Sequence, residues 1–535
     1  MTRRYKAGVE REQGQLLPMR VEDYVPEDNP VRALDEYVDS LDLQSLGVTN
    51  TGGGVSAGQP PYPPESLLKL YLYGYLMRVR SSRRLAAECT RNLEVIWLVR
   101  GLQPCHKTIS DFRRDNADAL QGVHRDFVQL CRELDLYGRE LVAIDGSFFS
   151  GDAGGKSIHT RDQLNKRLQR IEADVERYLQ ALDEADRAES DTPAPGGDDD
   201  ADALRGKLER LRERQAREAD RLARLEASGE TQLSEVDPDA RRLRKNARVV
   251  CGYNVQLAVD GRLRLIVDGV ATRDGNDRHQ LQPMAERAAE ALGTSRFTLL
   301  ADTGYFNPAQ MQACERAGIT PYVPEPRPLG ASSGAGRVPR SAFTFDADAD
   351  GYYCPRGAFL ARRRVITRAG QRQINYVSHR ADCERCPLRE ACLPARTPYR
   401  ELYRMEHEDW LEREHRPRME EGGREAMRQR AAMAEHPFAT GKRWFGHDHF
   451  LVRGLERVNG ELGLLMLAYN LRRVLNELGP RALRAAIAAR AEAARHAGSS
   501  GVCRLYRRLI QTVPGSWRRT RAWLAPRAIA GPIAA

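Results

Sequence analysis

Apolar residues fall into dense runs in the first quarter of the chain and into evenly spaced or strand-like sets beyond it. The run at residues 65–77 reads ESLLKLYLYGYLM and the run at 92–99 reads NLEVIWLV. A helix that is apolar on nearly every side must be buried against its neighbours, so both runs predict interior helices. We therefore expect residues 1–135 to form an all-α N-terminal domain.

A basic segment lies in the same region. Residues 108–116 read TISDFRRDN and carry Arg113 and Arg114, which we predict to contact DNA. Helices that are joined by short turns and end in an arginine-bearing helix are compatible with helix-turn-helix DNA binding. They are equally compatible with a dimerising bundle, and the pattern leaves both interpretations open.

Regular apolar spacing marks a long charged segment at residues 160–230. The spacings alternate between four and three, as in the heptad seam of a coiled coil, and a tip rich in Pro, Gly and Asp interrupts them at 191–202. This pattern predicts an inserted antiparallel coiled hairpin, either a solvated spacer or an arm that contacts DNA or a second subunit. The seam comprises Leu164, Leu168, Ile171, Val175, Tyr178 and Leu182 before the tip and Leu204, Leu208, Leu211, Leu222 and Leu225 after it.

Beyond the hairpin the pattern becomes strand-like. Two β-rich runs at residues 249–259 and 263–270 flank Asp260 and Gly261, a pair that is typical of a two-residue hairpin turn. Strands with helices around them predict an α/β domain over residues 136–480, which the coiled hairpin interrupts.

Two aspartates directly follow short apolar runs. Asp145 follows residues 141–144 and Asp302 follows residues 297–301, so we expect both at the C-terminal edges of buried strands. A third carboxylate, Glu435, lies in the stretch MRQRAAMAEHPFATGK, which we predict to be helical. A carboxylate on a helix can close a metal site that two strand ends open.

A helix around Glu435 places Arg428, Ala431 and Ala432 on the same face. Lys442 follows two turns later on that face, where its ammonium group can hold a phosphate. Pro437 argues against a helix that continues so far, because proline interrupts the backbone hydrogen bonds of a helix interior, unless it falls in a kink or in a first turn.

Carboxylate oxygens are suitable ligands for hard divalent cations. We predict that Asp145, Asp302 and Glu435 are the catalytic residues and bind two Mg²⁺ or Mn²⁺ ions, which activate the attacking oxygen and stabilise the leaving one in phosphoryl transfer. A lone aspartate after a strand is more often a turn residue, so the hypothesis depends on the combination of all three.

Composition limits the class of protein. The 535 residues include 84 Lys and Arg against 74 Asp and Glu, a net charge of +10. The excess favours a polyanionic partner, although a solvated basic surface explains it equally well. No apolar stretch is long enough for a membrane span, and the first residues lack the apolar core of a signal peptide. We expect a soluble, cytoplasmic protein without a membrane partner.

Four of the ten cysteines are clustered. Cys354, Cys383, Cys386 and Cys392 are separated by 28, 2 and 5 residues. Four thiolates with one CxxC pair suit a structural zinc ion, and unrelated buried thiols are the alternative. We predict an inserted zinc module at residues 320–400, and an Ala/Arg-rich tail at 481–535.

Several motifs, in a fixed order over about residues 20–480, resemble the DDE transposases of bacterial insertion sequences. In the first domain they are YPPESLLKLYLYGYLMRVRSSRRLAAECTRNLEVIWL and TISDFRRDN. In the second they are AIDGSFFSG, DPDAR, GYNVQLAVD, GNDRHQL, ADTGYF, AEHPFATGKRWFG and ELGLLMLAYNLRR. The matching branch of this family has a helical N-terminal domain, a coiled insertion and a cysteine-rich insertion.

The resemblance implies a ribonuclease-H-like mixed sheet flanked by helices, with Asp145 and Asp302 on strands and Glu435 on a helix. It also implies that the protein binds the terminal inverted repeats of its element, cleaves there, and transfers the freed 3′ ends into target DNA. A homodimer on DNA is the expected assembly.

The family signature around the third carboxylate is present with departures. Arg430 and Lys442 match its Arg and Lys, whereas Met427 stands where Tyr is usual. The segment that usually reads like FGTIK is FATGK here, and Arg443 follows it. Arg430, Lys442 and Arg443 are the expected DNA contacts of the catalytic domain.

Two other functions fit the same residues. One is a catalytically decayed or domesticated relative that only binds DNA. The other is a ribonuclease-H-like nuclease that cuts DNA without joining it to a target.

Overall fold

The fold is described from a computed structural model of the chain, over residues 20–51, 60–191, 197–245, 248–326, 338–368, 371–444, 446 and 448–495. Parts of the regions predicted above lie outside the described residues, namely 1–19, 52–59, residues 192–196 of the hairpin tip, the side chain of Leu204, 327–337, and the tail beyond 495. Among the described helices, none is both long enough and apolar enough to cross a lipid bilayer.

Helices dominate the described chain up to residue 133. Asn29 caps the first by accepting a hydrogen bond from the Val31 N–H at 2.9 Å, and Asn92 caps the fourth in the same way. The dense apolar run at 65–77 is confirmed as a helix buried along nearly all of its length. These helices are α1 (Pro30–Asp39), α2 (Pro64–Leu76), α3 (Ser82–Arg91), α4 (Leu93–Leu98), α5 (His106–Asp115) and α6 (Ala117–Glu133).

A mixed six-stranded sheet follows. Its order is β4-β5-β1-β7-β8, and β6 also pairs with β5. β1, β7 and β8 are parallel to one another, whereas β4, β5 and β6 pair antiparallel. Its strands in chain order are β1 (Leu141–Ser150), β4 (Arg241–Lys245), β5 (Arg248–Asp260), β6 (Ile266–Thr272), β7 (Thr298–Leu300) and β8 (Thr320–Tyr322). Strands β2 (Ile158–Thr160) and β3 (Gln232–Ser234) form a separate two-stranded antiparallel sheet.

Asp145 lies within a strand and not at its edge. The sequence predicts that the strand ends at Asp145, but β1 continues for five more residues to Ser150. The prediction is wrong because β5 pairs with β1 along that whole extension, so the polar residues after Asp145 remain in the ladder. Asp302 does follow its strand, two residues after the end of β7.

The turn between β5 and β6 is longer than predicted. Residues 261–265 connect the strands, and the Asp260 N–H donates to the Leu265 carbonyl at 3.0 Å, so a two-residue turn at Asp260 and Gly261 is wrong. The carboxylate of Asp260 is buried and accepts hydrogen bonds from three backbone N–H groups, including those of Gly138 and Arg139. These bonds keep Asp260 at the end of the strand instead of in the turn.

Two long helices occupy the segment between β2 and β3. α7 (Arg161–Asp191) and α8 (Gly197–Ser228) pack against each other along their length. Leu164, Ile171 and Leu208 are buried, and the neighbouring charged positions are mostly exposed. Two further helices, α9 (Leu281–Leu292) and α10 (Pro308–Arg316), lie beside the main sheet.

The cysteine-bearing region contains a separate antiparallel sheet that the sequence analysis did not anticipate. Its strands follow the order β13-β12-β11-β10-β9, and two short helices lie between β12 and β13. An aromatic core around Tyr352 and Tyr376 fills it. The elements are β9 (Thr344–Asp346), β10 (Gly351–Tyr353), β11 (Phe359–Arg368), β12 (Gln371–Ser378), α11 (Arg380–Glu384), α12 (Arg389–Cys392) and β13 (Glu401–Met405).

The helix that carries Glu435 continues through Pro437. Short α13 (Glu408–Trp410) leads through a π-helical turn into α14 (Arg416–Ala439), and a second π-helical turn spans Thr440–Trp444. The argument that Pro437 interrupts this helix is therefore wrong. The Thr440 N–H donates to the carbonyls of both His436 and Pro437, so helical hydrogen bonds are present again one turn after the proline.

The last two described helices join the first domain to the main sheet. α15 (Leu455–Leu478) is buried along most of its length and packs on α6, α2 and β6. α16 (Pro480–Arg495) places Leu483 and Ile487 in the same core and contacts α1. The N-terminal helices, the main sheet and the start of the predicted tail therefore share one hydrophobic interior.

Candidate active site

The side chains of β1 alternate between two hydrophobic layers. Val142 and Ile144 enter the large core beneath the sheet, whereas Ala143 packs with Ala434 of α14 on the opposite face. Because side chains alternate along a strand, Asp145 is on the face of Ala143, the α14 face. In β7, Leu300 also packs on the α14 side, so Asp302, two residues later, follows on that side.

Strand register brings the two aspartates level. β1 and β7 are parallel, and Ala143 pairs with Leu300. Two residues after this pair along each segment of the sequence come Asp145 and Asp302, which therefore lie next to each other just beyond the paired residues. Two neighbouring carboxylates repel each other unless a cation lies between them.

A guanidinium group occupies that position. Nη2 of Arg430, on α14, lies 2.9 Å from Oδ1 of Asp145 and 3.6 Å from Oδ2 of Asp302. The Arg430 side chain is only 14% exposed, and its Nε has no hydrogen-bond partner among the described residues. Arg430, predicted to contact DNA, instead neutralises the aspartate pair in this structure.

A third aspartate, Asp277, reaches the same place from the loop between β6 and α9. Its Oδ1 accepts hydrogen bonds from the amides of Asn254 at 2.7 Å and Gln256 at 2.6 Å, both on β5. The hydroxyl of Tyr305 in turn donates to Oε1 of Gln256. Asp277 is thus held by a hydrogen-bond network that also contains Tyr305, three residues after Asp302.

Two glycines allow this close approach. A Cβ atom on Gly146 would lie 2.5 Å from Oδ1 of Asp277, a distance that real side chains do not tolerate. A Cβ atom on Gly304 would lie 2.9 Å from Oδ1 of Asp302 and 3.5 Å from Oδ2 of Asp277. Both carboxylates therefore approach one point beside Gly304.

The electrostatics of Tyr305 reflect the same clustering. Burial is the main cause that raises the pKa of its hydroxyl well above the usual value, and the negative charges of Asp277, Asp145 and Asp302 raise it further. All three carboxylates therefore act on one buried phenol.

Sequence reasoning missed Asp277. It lies in GNDRHQL, a motif that contributes to the family resemblance, but no apolar strand immediately precedes it. The available signal was the position of an aspartate in a short polar loop after a predicted strand, which is weak without knowledge of the sheet order.

The structure does not bring Glu435 to the two aspartates. Its side chain is exposed and makes no hydrogen bond or ion pair with a described residue. Five residues of α-helix separate it from Arg430, which rotates it by about 140° around α14. Of the other residues predicted on its face, Arg428 and Ala432 are exposed and Ala431 is half-buried.

Lys442 lies further along the same face of β1. Its Nζ donates to Oγ of Ser147 at 2.7 Å and to the carbonyl of Phe148 at 2.6 Å, and it stands 4.4 Å from the ring centroid of Phe149. The ammonium group therefore holds the extension of β1 against the π-helical turn.

The remaining predicted DNA contacts differ in their surroundings. Arg443 is exposed, whereas Arg113 is buried and lies 3.7 Å from Oε1 of Glu461. Arg114 is about half exposed and pairs with Asp111 and Asp115 on its own helix.

The four clustered cysteines lie in one neighbourhood. Burial raises the pKa of the Cys392 thiol, Arg400 opposes the shift, and the other three thiols add to it. Sγ of Cys383 is 3.1 Å from the hydroxyl of Ser378, and the Arg356 N–H donates to Sγ of Cys354. Thiols suit zinc, so the donor set fits the predicted metal.

Neither predicted metal centre is closed in the described part of the chain. No group of three or more His, Cys, Asp or Glu side chains there converges closely enough to enclose an ion. The oxygen donors of Asp145, Asp302 and Asp277 nevertheless fit Mg²⁺ by chemistry, and Oδ1 of the nearby Asn254 is buried without a hydrogen-bond partner.

Two family models match separate parts of the chain. The transposase domain DUF772 matches residues 19–115, and a transposase DDE domain matches residues 353–475. The second range contains Glu435 and the four cysteines but neither Asp145 nor Asp302.

Among solved structures, the chain is similar to the piggyBac transposase in a synaptic complex with hairpin DNA. The identity is 8% over 95% of this chain and 87% of that chain, with a TM-score of 0.31. A comparison with curated proteins gives no match. Both family models describe transposase domains, and the second is a DDE domain, so two separate segments of the chain are similar to transposases.

Proposed function

We propose that this protein is the transposase of a bacterial insertion sequence, which binds the terminal inverted repeats of its element, cleaves DNA there and transfers the strands to target DNA. The observation that carries the proposal is the parallel register that sets Asp145 beside Asp302 on the α14 face of the sheet. DNA would be held as a partner by a chain of net charge +10, acting as a homodimer in the cytoplasm.

The sheet supports a ribonuclease-H-like catalytic domain. Strands β6, β5 and β1 are antiparallel neighbours, and β7 and β8 continue from β1 in parallel. This arrangement puts the ends of two parallel strands at one edge, where carboxylates from distant parts of the chain can meet.

Asp145 and Asp302 would hold divalent cations, Mg²⁺ or Mn²⁺. Two such ions, when bound, supply an activated attacking oxygen and charge neutralisation at the leaving oxygen. Arg430 competes for the same oxygens, so its guanidinium must withdraw from Asp145 when the cations enter. Once released, it is placed to pair with a DNA phosphate, the role that the family resemblance implies.

Two carboxylates are candidates for the third ligand. The resemblance assigns Glu435, whereas the geometry favours Asp277, whose Oδ1 is fixed by Asn254 and Gln256. Glu435 would have to turn toward the sheet by a rotation or shift of α14, and Asp277 needs no such movement.

The direct test uses DNA that carries the ends of the element, taken from the sequence that flanks the gene. We expect Mg²⁺-dependent cleavage and the joining of a labelled 3′ end to target DNA. Asp145→Asn and Asp302→Asn should abolish both reactions and leave DNA binding intact. Full cleavage by either variant would refute the assignment of the pair.

The third carboxylate is tested in the same assay. If Glu435→Gln abolishes cleavage and Asp277→Asn lowers it only in part, Glu435 is the ligand and Asp277 supports the site. The reverse result assigns Asp277. Asp346→Asn, on the distant small sheet, is the matched control and should cleave like the wild type.

A second candidate function is DNA binding without catalysis. The exposed position of Glu435 and the occupation of the aspartate pair by Arg430 favour it. DNA-binding activity with no cleavage of any end under Mg²⁺ or Mn²⁺ would support this candidate, and cleavage without joining would indicate a nuclease.

We also propose a structural zinc ion held by Cys354, Cys383, Cys386 and Cys392. Purified protein should contain about one zinc per chain. Cys383→Ser should remove it, whereas Cys251→Ser, outside the cluster, should not. Because the small sheet has its own aromatic core, loss of zinc should disorder the short helices α11 and α12 more than strands β10 to β12. A folded, metal-free wild-type protein would contradict the proposal.

A further inference from the structure

A cavity of about 540 Å³ opens between the N-terminal helices and the segment that follows α14. Its walls come from residues just after α2, the start of α3, the middle of α5, and Arg443, Gly446, His449 and Leu451. Five arginines line it, and none of the described lining residues is a carboxylate, although the buried Glu461 lies beneath. The arginines are Arg78, Arg80, Arg84, Arg113 and Arg443.

Glu461 neutralises only part of this charge. Its Oε1 lies 2.9 Å from Nη2 of Arg80 and 3.7 Å from Nη1 of Arg113. Burial opposes its ionisation, but Arg113 and Arg80 outweigh burial and hold the pKa of the carboxyl below its usual value. Glu461 lies within ion-pair distance of Arg80 and Arg113 only, so the lining as a whole carries an excess of positive charge.

Buried donors in the wall lack acceptors. Arg113 is 5% exposed, and its Nε and Nη1 have no hydrogen-bond partner among the described residues. The same holds for Nε of Arg80, which is 8% exposed. Buried polar groups without partners are costly, so these N–H groups indicate a ligand that accepts hydrogen bonds. Ser81, Ser82 and Ser110 add hydroxyl groups to the same walls.

Strand β1 leads from the proposed active site to the cavity. His449, on its rim, forms a bridge with Ser150 at the end of β1. Five residues of strand separate Ser150 from Asp145, a span of about 17 Å. Lys442 contacts β1 between these two points, and Arg443 follows on the rim. Positive charge therefore runs along β1 from the aspartate pair to the cavity.

We propose that this cavity binds backbone phosphates of the DNA strand that enters the active site. The inference rests on the proposed function. A rise of about 3.4 Å per nucleotide on one strand places the bound phosphates about five nucleotides from the reacting phosphate. The N-terminal helices and the catalytic sheet would thus grip one strand together, with Arg80 and Arg113 as the buried floor and Arg84 and Arg443 at the rim.

The test measures binding of fluorescent single-stranded and duplex oligonucleotides in EDTA, over a range of salt concentrations. Arg80 and Arg113 are unsuitable targets, because their removal leaves Glu461 buried and uncompensated. The double variant R84Q/R443Q removes two rim charges. R91Q/R316Q is the control. It removes the same number of positive charges, and both Arg91 and Arg316 are exposed and lie outside the cavity.

We expect R84Q/R443Q to bind more weakly and to reduce the slope of log affinity against log salt by about 1.4 for single strands and about 1.8 for duplex DNA. The control should retain the wild-type slope. Equal slopes for the two double variants would overturn the proposal.

A second arm separates DNA from small anions. Inorganic phosphate and a nucleoside triphosphate are titrated against thermal stability and against bound oligonucleotide. If either small anion binds through Arg84 and Arg443 while DNA affinity is independent of them, the assignment to DNA is wrong.

Failure here is distinguishable from failure of the proposed function. If the salt dependence of DNA affinity requires the rim arginines but the protein cleaves no DNA, only the catalytic proposal is refuted. If R84Q/R443Q changes neither DNA cleavage nor the salt dependence of DNA affinity, only the proposal that the cavity binds phosphates is refuted.

Discussion

At the scale of single residues, Arg430 holds the key position, because its guanidinium bridges Asp145 and Asp302. A buried cation beside two carboxylates stabilises the metal-free protein, and the same contact opposes metal binding. Stability and metal affinity should therefore respond in opposite directions to a change at this residue.

Replacing Arg430 by Gln should lower the free energy of unfolding of the metal-free protein by about 2 kcal/mol, since the two carboxylates lose a charged partner. Added Mg²⁺ should then raise Tm more in the variant than in the wild type. Arg428→Gln is the control on the same helix, because Arg428 is 80% exposed and pairs with Glu425. Identical Mg²⁺ responses in R430Q and wild type would contradict this account.

A substitution at Gly146 tests whether Asp277 packs closely against β1. In Gly146→Ala the new Cβ would meet the carboxylate of Asp277 and the amide of Gln256, which should destabilise the fold by about 1–3 kcal/mol and weaken Mn²⁺ binding. Gly154→Ala is the matched control, because no atom lies within 4 Å of its Cβ position. Calorimetry on both variants measures the difference, and equal effects would show that Gly146 tolerates a side chain.

At the scale of elements, α15 satisfies the edge of the main sheet with side chains. Oδ1 of Asn470 accepts the Ile266 N–H at 2.8 Å and its Nδ2 donates to the Ile266 carbonyl at 2.7 Å. Asn459, three turns earlier, does the same for the N–H and carbonyl of Ala271. Strand β6 thus has part of its outer edge covered by a helix.

Asn470→Ala should cost about 2–4 kcal/mol, because it leaves a buried N–H and a buried carbonyl of Ile266 unpaired. Urea unfolding measures the loss. Asn476→Ala, at an exposed position of the same helix, should change stability by less than about 0.5 kcal/mol. A loss below about 1 kcal/mol in Asn470→Ala would mean that water replaces the amide.

The elements also show what the sequence could predict. Apolar runs identified β1, β7 and the buried α2, because burial on both sides leaves a continuous signal. The turn after Asp260 was mispredicted because hydrogen bonds from Gly138 and Arg139 decide it, and these residues are more than a hundred positions away. The strands around Tyr352 and Tyr376 were missed because charged residues alternate with few apolar ones in a small sheet.

The candidate site was predictable in part for similar reasons. Asp145 lies within β1 and Asp302 follows β7, and the two strands pair in parallel. The orientation of Glu435 depends on how α14 is rotated against the sheet, which packing of Ala434 and Met433 decides. The contribution of Asp277 depends on a loop that the sheet order alone brings into place.

At the scale of the whole molecule, the N-terminal helices and the main sheet contribute to one hydrophobic core. α15 packs on α2 and α6, and the buried Glu461 receives hydrogen bonds from Tyr75 and Arg80. A single interior therefore links the transposase domain at residues 19–115 to the sheet.

A fragment of residues 1–135 should accordingly not fold alone. Without α15 and α16, the apolar faces of α1, α2 and α6 lose their partners, so we expect no cooperative thermal transition and strong binding of a hydrophobic dye. The full chain is the control. A cooperative transition in the fragment would show that the first domain has a sufficient core of its own.

The claim on which the account depends is that Asp145 and Asp302 bind the same divalent cations. Electron paramagnetic resonance of Mn²⁺ added to the wild type, Asp145→Asn and Asp302→Asn measures this directly. We predict that each variant loses at least about tenfold in Mn²⁺ affinity, since each removes a direct ligand. Wild-type affinity in either variant would show that the two carboxylates do not share a metal site.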